Sequence, residues 1–273
     1  MVEVLQKSEV GETFDLDWDD GHVVPAVIYP DLAFLFKQLE TVALREVQAK
    51  AGEKVLDVGC GRATDAVELA KDSGKCIGLE PSEKMIGYAK SCIRDNGNSV
   101  CLVRGLGEYL PLKDASLNKV VCKGALDHFP HPELAIEEMA RVLRSDGKAV
   151  IAVVNLESLS CRLGRTIFVR LRKMLRREES IYEKMWQTPI DHTYRFDHRT
   201  IRSLASEYME VDRCVGISLL FGCPWWGMIL SKMPQRVSSI ILVMLDGLAR
   251  RLPWISDVVL VRCSPKRKPS AAT

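Results

Sequence analysis

Two glycines one residue apart follow an apolar run in Val55-Leu56-Asp57-Val58-Gly59-Cys60-Gly61, and a carboxylate, Glu80, closes the next apolar run about twenty residues further on. Glycine at such a bend lets the backbone turn sharply and approach a ligand where a Cβ would collide. A carboxylate at the end of the following strand can accept both hydroxyls of a ribose. Together these residues suit recognition of an adenosine-bearing ligand at a strand-to-helix turn.

Two features depart from a dinucleotide fingerprint. Thr64 stands where the third glycine would be, and Asp57 places a negative charge inside the first strand, where it would repel a pyrophosphate. A cation is favoured there instead, and S-adenosylmethionine carries a sulfonium and an ammonium but no phosphate. Asp57 also has a purely structural use, as a buried carboxylate receiving N–H donors of the loop. The two uses are compatible.

Asp127 and His128 follow the fourth apolar run, and His192 lies in Asp191-His192-Thr193-Tyr194-Arg195-Phe196. An imidazole titrates near neutrality and can take a proton from a phenol, enol or amine, so His128 is the candidate general base, with His192 and Asp127 in reserve. The local alternatives are that His128 shapes its loop through backbone hydrogen bonds and that Asp127 caps the helix starting after Pro130. Pro130 separates His128 from His131 and breaks the face that paired metal ligands would share, so no metal site is expected.

The elements that must position these residues follow from periodicity. Short apolar runs at 55–58, 76–79, 100–103, 120–122 and 149–154 alternate with amphipathic stretches, which indicates βαβ units and a parallel sheet. A helix over 31–48 precedes them. Ala135, Met139, Val142 and Leu143 form one stripe of a helix with Pro132 and Glu133 at its start and Gly147 as its stop. Residues 158–191 read as a basic helical insertion, another helix carries Ile201, Leu204, Ala205 and Tyr208, and 211–217 and 258–263 read as two last strands. The Trp- and Met-rich segment between them, including 221–228 and the apolar 240–245, reads as pocket lining or core.

The 273 residues are 47% hydrophobic and 27% charged, which suits a globular α/β unit with insertions, and a net charge of +2 is too small to imply nucleic-acid or membrane binding. Nine scattered cysteines without a CxxC pair, and no secretory signal pattern at the start, read as reduced thiols in a cytoplasmic protein. The uncharged stretch 214–231 is punctuated by Gly222, Pro224 and Gly227 and does not read as a spanning helix.

From 54 to 154 the chain resembles class I S-adenosylmethionine-dependent methyltransferases, especially the subgroup with ubiquinone- and menaquinone-biosynthesis enzymes. Five blocks agree in order: Val55-Leu56-Asp57-Val58-Gly59-Cys60-Gly61; Gly78-Leu79-Glu80-Pro81-Ser82-Glu83-Lys84-Met85; Gly105-Leu106-Gly107-Glu108-Tyr109-Leu110-Pro111-Leu112; Ala125-Leu126-Asp127-His128-Phe129; and Arg141-Val142-Leu143-Arg144-Ser145-Asp146-Gly147. The resemblance implies a doubly wound, Rossmann-like, seven-stranded and mostly parallel sheet with a final antiparallel strand and helical cap insertions. It implies S-adenosyl-L-methionine as cofactor, with Asp57, Gly59 and Gly61 around its methionine part, Glu80 on the ribose, Met85 against the adenine face and Leu106 and Gly107 at the adenine edge; Cys60, Pro81 and Lys123 complete the candidate cofactor-binding set. Leu106 stands where the family often has Asp or Asn, so only its backbone and apolar surface can meet the adenine edge. Ser145-Asp146 replaces a commoner Pro-Gly.

The implied activity is in-line methyl transfer to a small molecule, and the apolar segments 221–228 and 240–245 point to a lipophilic one. Nucleic acid is disfavoured as a partner, because no basic platform interleaved with aromatics is visible. The basic amphipathic stretch 162–177 is a candidate for peripheral membrane contact, although a cap helix with a solvated face is the commoner reading, and the oligomeric state is open. The alternatives are an NAD-dependent oxidoreductase and a non-catalytic cofactor-binding module. The expected organisation is a helical lead-in (1–53), a cofactor-binding core (54–156), a helical cap (157–209), a C-terminal part of the sheet with an apolar helical insertion (210–264) and a disordered tail (265–273).

Overall fold

The computed structural model describes residues 16–22, 27–97, 99–168, 193–223 and 225–266. The strands β1 (Lys54–Val58), β2 (Lys75–Glu80), β3 (Val100–Arg104), β4 (Leu117–Lys123), β5 (Leu143–Val154), β6 (Met209–Ile217) and β7 (Val258–Pro265) form one sheet in the order β3-β2-β1-β4-β5-β7-β6. β7 pairs antiparallel with both β5 and β6, and every other pair is parallel. The expected doubly wound sheet with a reversed last strand is therefore found. Because β1 leads to β2 on one side and has β4 on the other, the strand order reverses between β1 and β4. In open α/β sheets a crevice for a ligand lies there, beyond the carboxyl ends of the strands.

Eight helices are described: α1 (Pro30–Val47), α2 (Thr64–Ser73), α3 (Glu83–Asn96), α4 (Pro132–Val142), α5 (Leu159–Leu163), α6 (His198–Tyr208), α7 (Trp226–Lys232) and α8 (Gln235–Arg251). One face of the sheet, with Leu56, Val58 and Val120, packs on Ile136 and Met139 of α4 and on Ile201 and Ala205 of α6. The other, with Val55, Val121 and Val150, packs on Val42 of α1 and on Ala66 and Leu69 of α2. Side chains alternate along a strand, so Asp57 shares its face with Val55 and is turned toward α2. That alternation puts a carboxylate into the layer between β1 and α2.

The fifth strand begins earlier than its sequence pattern suggests. α4 ends at Val142 and the chain passes straight into β5, so Gly147 lies inside the strand and stops no helix. The β4–β5 register shifts between the Leu117–Leu143 and Lys119–Lys148 pairs, and Gly147 sits in that irregular stretch. A Cβ on it would lie 2.8 Å from Leu143 Cδ2 and 2.9 Å from the Arg144 carbonyl oxygen, which is the reason for glycine.

The apolar run 240–245 is not core. In α8, Leu242 is buried while Ile240, Val243 and Met244 are exposed. The stretch 169–192 lies outside the described residues, and with it His192 and most of the basic segment 162–177. Residues 267–273 of the expected tail also lie outside; β7 runs to Pro265. Among the described residues no helix is long and apolar enough to cross a membrane, and no group of His, Cys, Asp and Glu could hold a metal ion. All nine cysteines are free.

Candidate active site

The bend after β1 is built by backbone bonds to the end of β2. Gly59 and Cys60 both donate their N–H to the Leu79 carbonyl, at 2.8 and 3.0 Å. Gly59 has φ +68° and comes so close to the turn after β4 that a Cβ would stand 2.4 Å from the Ala125 Cβ. Only glycine meets both demands. Gly61 donates to Glu80 Oε2 at 2.9 Å, and the other Glu80 oxygen accepts the Ser82 N–H at 3.0 Å. Burial pushes the Glu80 pKa up, against the pull of these two donors and of nearby His128.

Beneath the bend lies a cluster of carboxylates. Asp57 is buried and its pKa is pushed up to about 8, by desolvation first and then by the charge of Asp65; Lys123 pulls it down and Glu80 pushes it further up. Lys123 Nζ, at the end of β4, is committed to Asp65 Oδ2 at 2.5 Å. The second Asp65 oxygen is buried and has no hydrogen-bond partner among the described residues. Burial and neighbouring carboxylates both disfavour the ionised form of Asp57, and a cation would favour it. The site is short of positive charge.

The remaining expected cofactor positions lie at the same end of the sheet. Met85, buried in the first turn of α3, brings its Cε to 3.4 Å from where a Gly61 Cβ would be. Its helix starts at Ser82, whose hydroxyl accepts the Met85 N–H at 3.3 Å. Gly107 is covered by Phe129, whose ring would be 2.4 Å from an added Cβ, and Leu106 is half-buried beside it. Cys60 turns its sulfur toward Gly78 of β2, where an added Cβ would come within 2.8 Å. Pro81 is half-buried and offers its carbonyl to Arg104 Nε at 3.2 Å.

His128 and Asp127 lie in a 3-10 turn, Leu126–His128, just past β4. The His128 ring is tilted against Trp18, with centroids 5.3 Å apart. The Trp18 carbonyl in turn accepts the Ser82 hydroxyl at 2.6 Å, so the segment 16–22 runs from the end of β2 to the turn after β4. Arg62 holds that segment through Asp20, with Nε–Oδ2 at 2.5 Å and Nη2–Oδ1 at 2.8 Å. Asp127 is buried, and its carbonyl accepts the N–H groups of Thr193 and Tyr194 at 2.9 and 3.2 Å. The N-cap position of α4 is His131, so Asp127 lies outside it.

The fold thus brings Asp57, Gly59, Cys60, Gly61, Glu80, Pro81, Met85, Leu106, Gly107, Lys123, Asp127 and His128 to one end of the sheet. Asp65, Trp18 and Ser82 were not singled out by sequence. Asp65 had a faint signal, an acid in the first turn of the helix after a glycine bend. Trp18 had none, because an acidic run reads as solvated loop.

The strand order and the glycine bend after β1 are those of a Rossmann-like α/β fold. Residues 56–151 match the family model Methyltransf_11, described as a methyltransferase domain, so the recognition made on the five blocks holds. Over 109 residues the chain is 30% identical to an uncharacterized methyltransferase, YcgJ, of Bacillus subtilis, covering 40% of this chain and 43% of that protein. Over 110 residues it is 36% identical to the demethylmenaquinone methyltransferase of Staphylococcus carnosus, covering 39% and 45%. The chain therefore spans less than half the length of these curated relatives. A SAM dependent methyltransferase from Aquifex aeolicus shares the fold at TM-score 0.55 and 17% identity, over 87% of this chain and 94% of that one.

Proposed function

We propose that this chain is an S-adenosylmethionine-dependent methyltransferase that transfers a methyl group to a small, lipophilic acceptor by in-line displacement. The observation that carries the reading is the gathering of carboxylates at the glycine bend: Asp57 is buried, its pKa is raised by desolvation first and then by the charges of Asp65 and Glu80, and Lys123 opposes them. A diphosphate beside these carboxylates would disfavour their ionisation still further. A sulfonium or ammonium favours it. The orphaned Asp65 oxygen is the further point of fit.

Asp57, Gly59, Cys60, Gly61 and Asp65 would hold the methionine end, Glu80 and Pro81 the ribose, and Met85, Leu106 and Gly107 the adenine. Lys123 fixes Asp65 and does not contact the ligand in this reading. The cofactor supplies an electrophilic methyl on a positively charged sulfur. The protein contributes alignment of the acceptor, which alone can lower the barrier by several kcal/mol, and exclusion of water. His128 takes the acceptor's proton, and Asp127 and His192 are the reserve positions.

The acceptor class is supported by the similarity to a demethylmenaquinone methyltransferase over the core alone. The test is to supply methyl-labelled cofactor with fractionated cell extract. Label in the lipid fraction is expected; label confined to polar metabolites, RNA or protein overturns the acceptor class, and no transfer to any fraction overturns the activity.

A further inference from the structure

Helix α8 exposes Val237, Ile240, Val243, Met244 and Leu248 to water while burying Leu242. Its protein-facing side carries Ser238, Leu242, Asp246 and Ala249, all buried. Val237, Ile240, Met244 and Leu248 fall within an arc of roughly 80° on the opposite side, at about 100° per residue. All four are exposed, Ile240 by 60% and Met244 by 71%. Val243 and, on α7, Ile229 are exposed as well. An amphipathic helix that only covered a sheet would have the reverse arrangement.

The exposed charges of α7 and α8 have one sign. Lys232, Arg236 and Arg251 are exposed. Asp246 is the single acid between Trp225 and Trp254 in the sequence, and it is buried and held by Arg250 at 2.6 Å. Two half-exposed tryptophans, Trp225 and Trp254, flank the helix pair in the chain. A second copy related by a twofold axis would set these cations against their own kind. An anionic bilayer surface satisfies all three features: apolar stripe, basic flanks and interfacial tryptophan.

We infer that the α7–α8 face docks the protein on anionic membrane surfaces, with the α8 stripe inserted at the level of the lipid headgroups. These residues are other than those of the basic stretch 162–177, and the inference does not depend on the methyl-transfer reading. No helix among the described residues is long and apolar enough to span, so the attachment is peripheral.

Co-sedimentation of the full chain with vesicles tests it, using phosphatidylcholine alone and with phosphatidylglycerol added. The chain is expected to pellet with the anionic vesicles and to be released by salt. Ile240→Asp with Met244→Asp should weaken partition by about tenfold or more, with an unchanged melting temperature and unchanged cofactor binding. Lys232→Glu with Arg236→Glu, a second variant that leaves the stripe intact, should abolish the preference for anionic vesicles. Wild-type chain remaining in the supernatant overturns the inference, as does equal pelleting of both variants and wild type. A wild-type dimer that the aspartate pair splits, without vesicle binding, assigns the face to a second copy and overturns it too.

Discussion

Glu80 Oε2 accepts the Gly61 N–H at 2.9 Å, so the carboxylate that ends the second strand holds the glycine bend that follows the first. The same side chain therefore has a structural duty and a binding one. Glu80→Ala leaves the buried Ser82 N–H and the Gly61 N–H without their acceptor, and should cost about 1–3 kcal/mol in stability. Glu80→Gln keeps one acceptor oxygen and should melt closer to wild type while binding S-adenosylmethionine at least tenfold more weakly. Thermal melts and cofactor titration of both variants separate the two duties.

Asp57 should make the free protein sensitive to pH. Its native pKa is raised from 3.8 to about 8, so the native state holds a proton that the unfolded chain has released. Stability from this group is present below about pH 4 and is lost as pH rises toward 8. Asp57→Asn should flatten that decline in a pH series of thermal melts. A cationic ligand favours the ionised form, so the preference for S-adenosylmethionine over its uncharged-sulfur product should rise with pH across the same window, and should be flat in the variant.

Asp65 and Lys123 should behave as one unit. Lys123→Met leaves a buried carboxylate beside Asp57 without its counter-charge and should destabilise by about 3 kcal/mol. The double variant with Asp65→Asn should lose less than the sum of the single changes, as measured by a double-mutant cycle in denaturant.

His128→Ala should lower the turnover number by about a hundredfold or more while cofactor affinity changes little. An unchanged turnover number with cofactor still bound would remove the imidazole from the mechanism.

Gly59→Ala should fail on two grounds, a positive φ and a Cβ 2.4 Å from Ala125. A loss of at least about 2 kcal/mol and of cofactor binding is expected from melts and titration.

The first four strands were legible in the sequence because each contains a short apolar run set between amphipathic stretches, whereas the polar start of β5, Arg144 to Lys148, hid where that strand begins. The bend was legible because glycine spacing and a distant carboxylate have few other uses. Asp65 was hidden by convention: acids are common in the first turn of any helix, and its role depends on Lys123 arriving from β4. Trp18 was hidden because its partners, Ser82 and His128, are remote in sequence. Ile240 and Met244 were misread as pocket lining or core, since hydrophobicity reports that a side chain avoids water but not which surface shelters it.

Calorimetry of the full chain with S-adenosylmethionine, its demethylated product and nicotinamide dinucleotide is the most direct test of the acidic cradle. Saturable heat from the first two compounds and none from the third is the expected result. Silence from both sulfur compounds with correctly folded protein, or tight binding of the diphosphate, would contradict it.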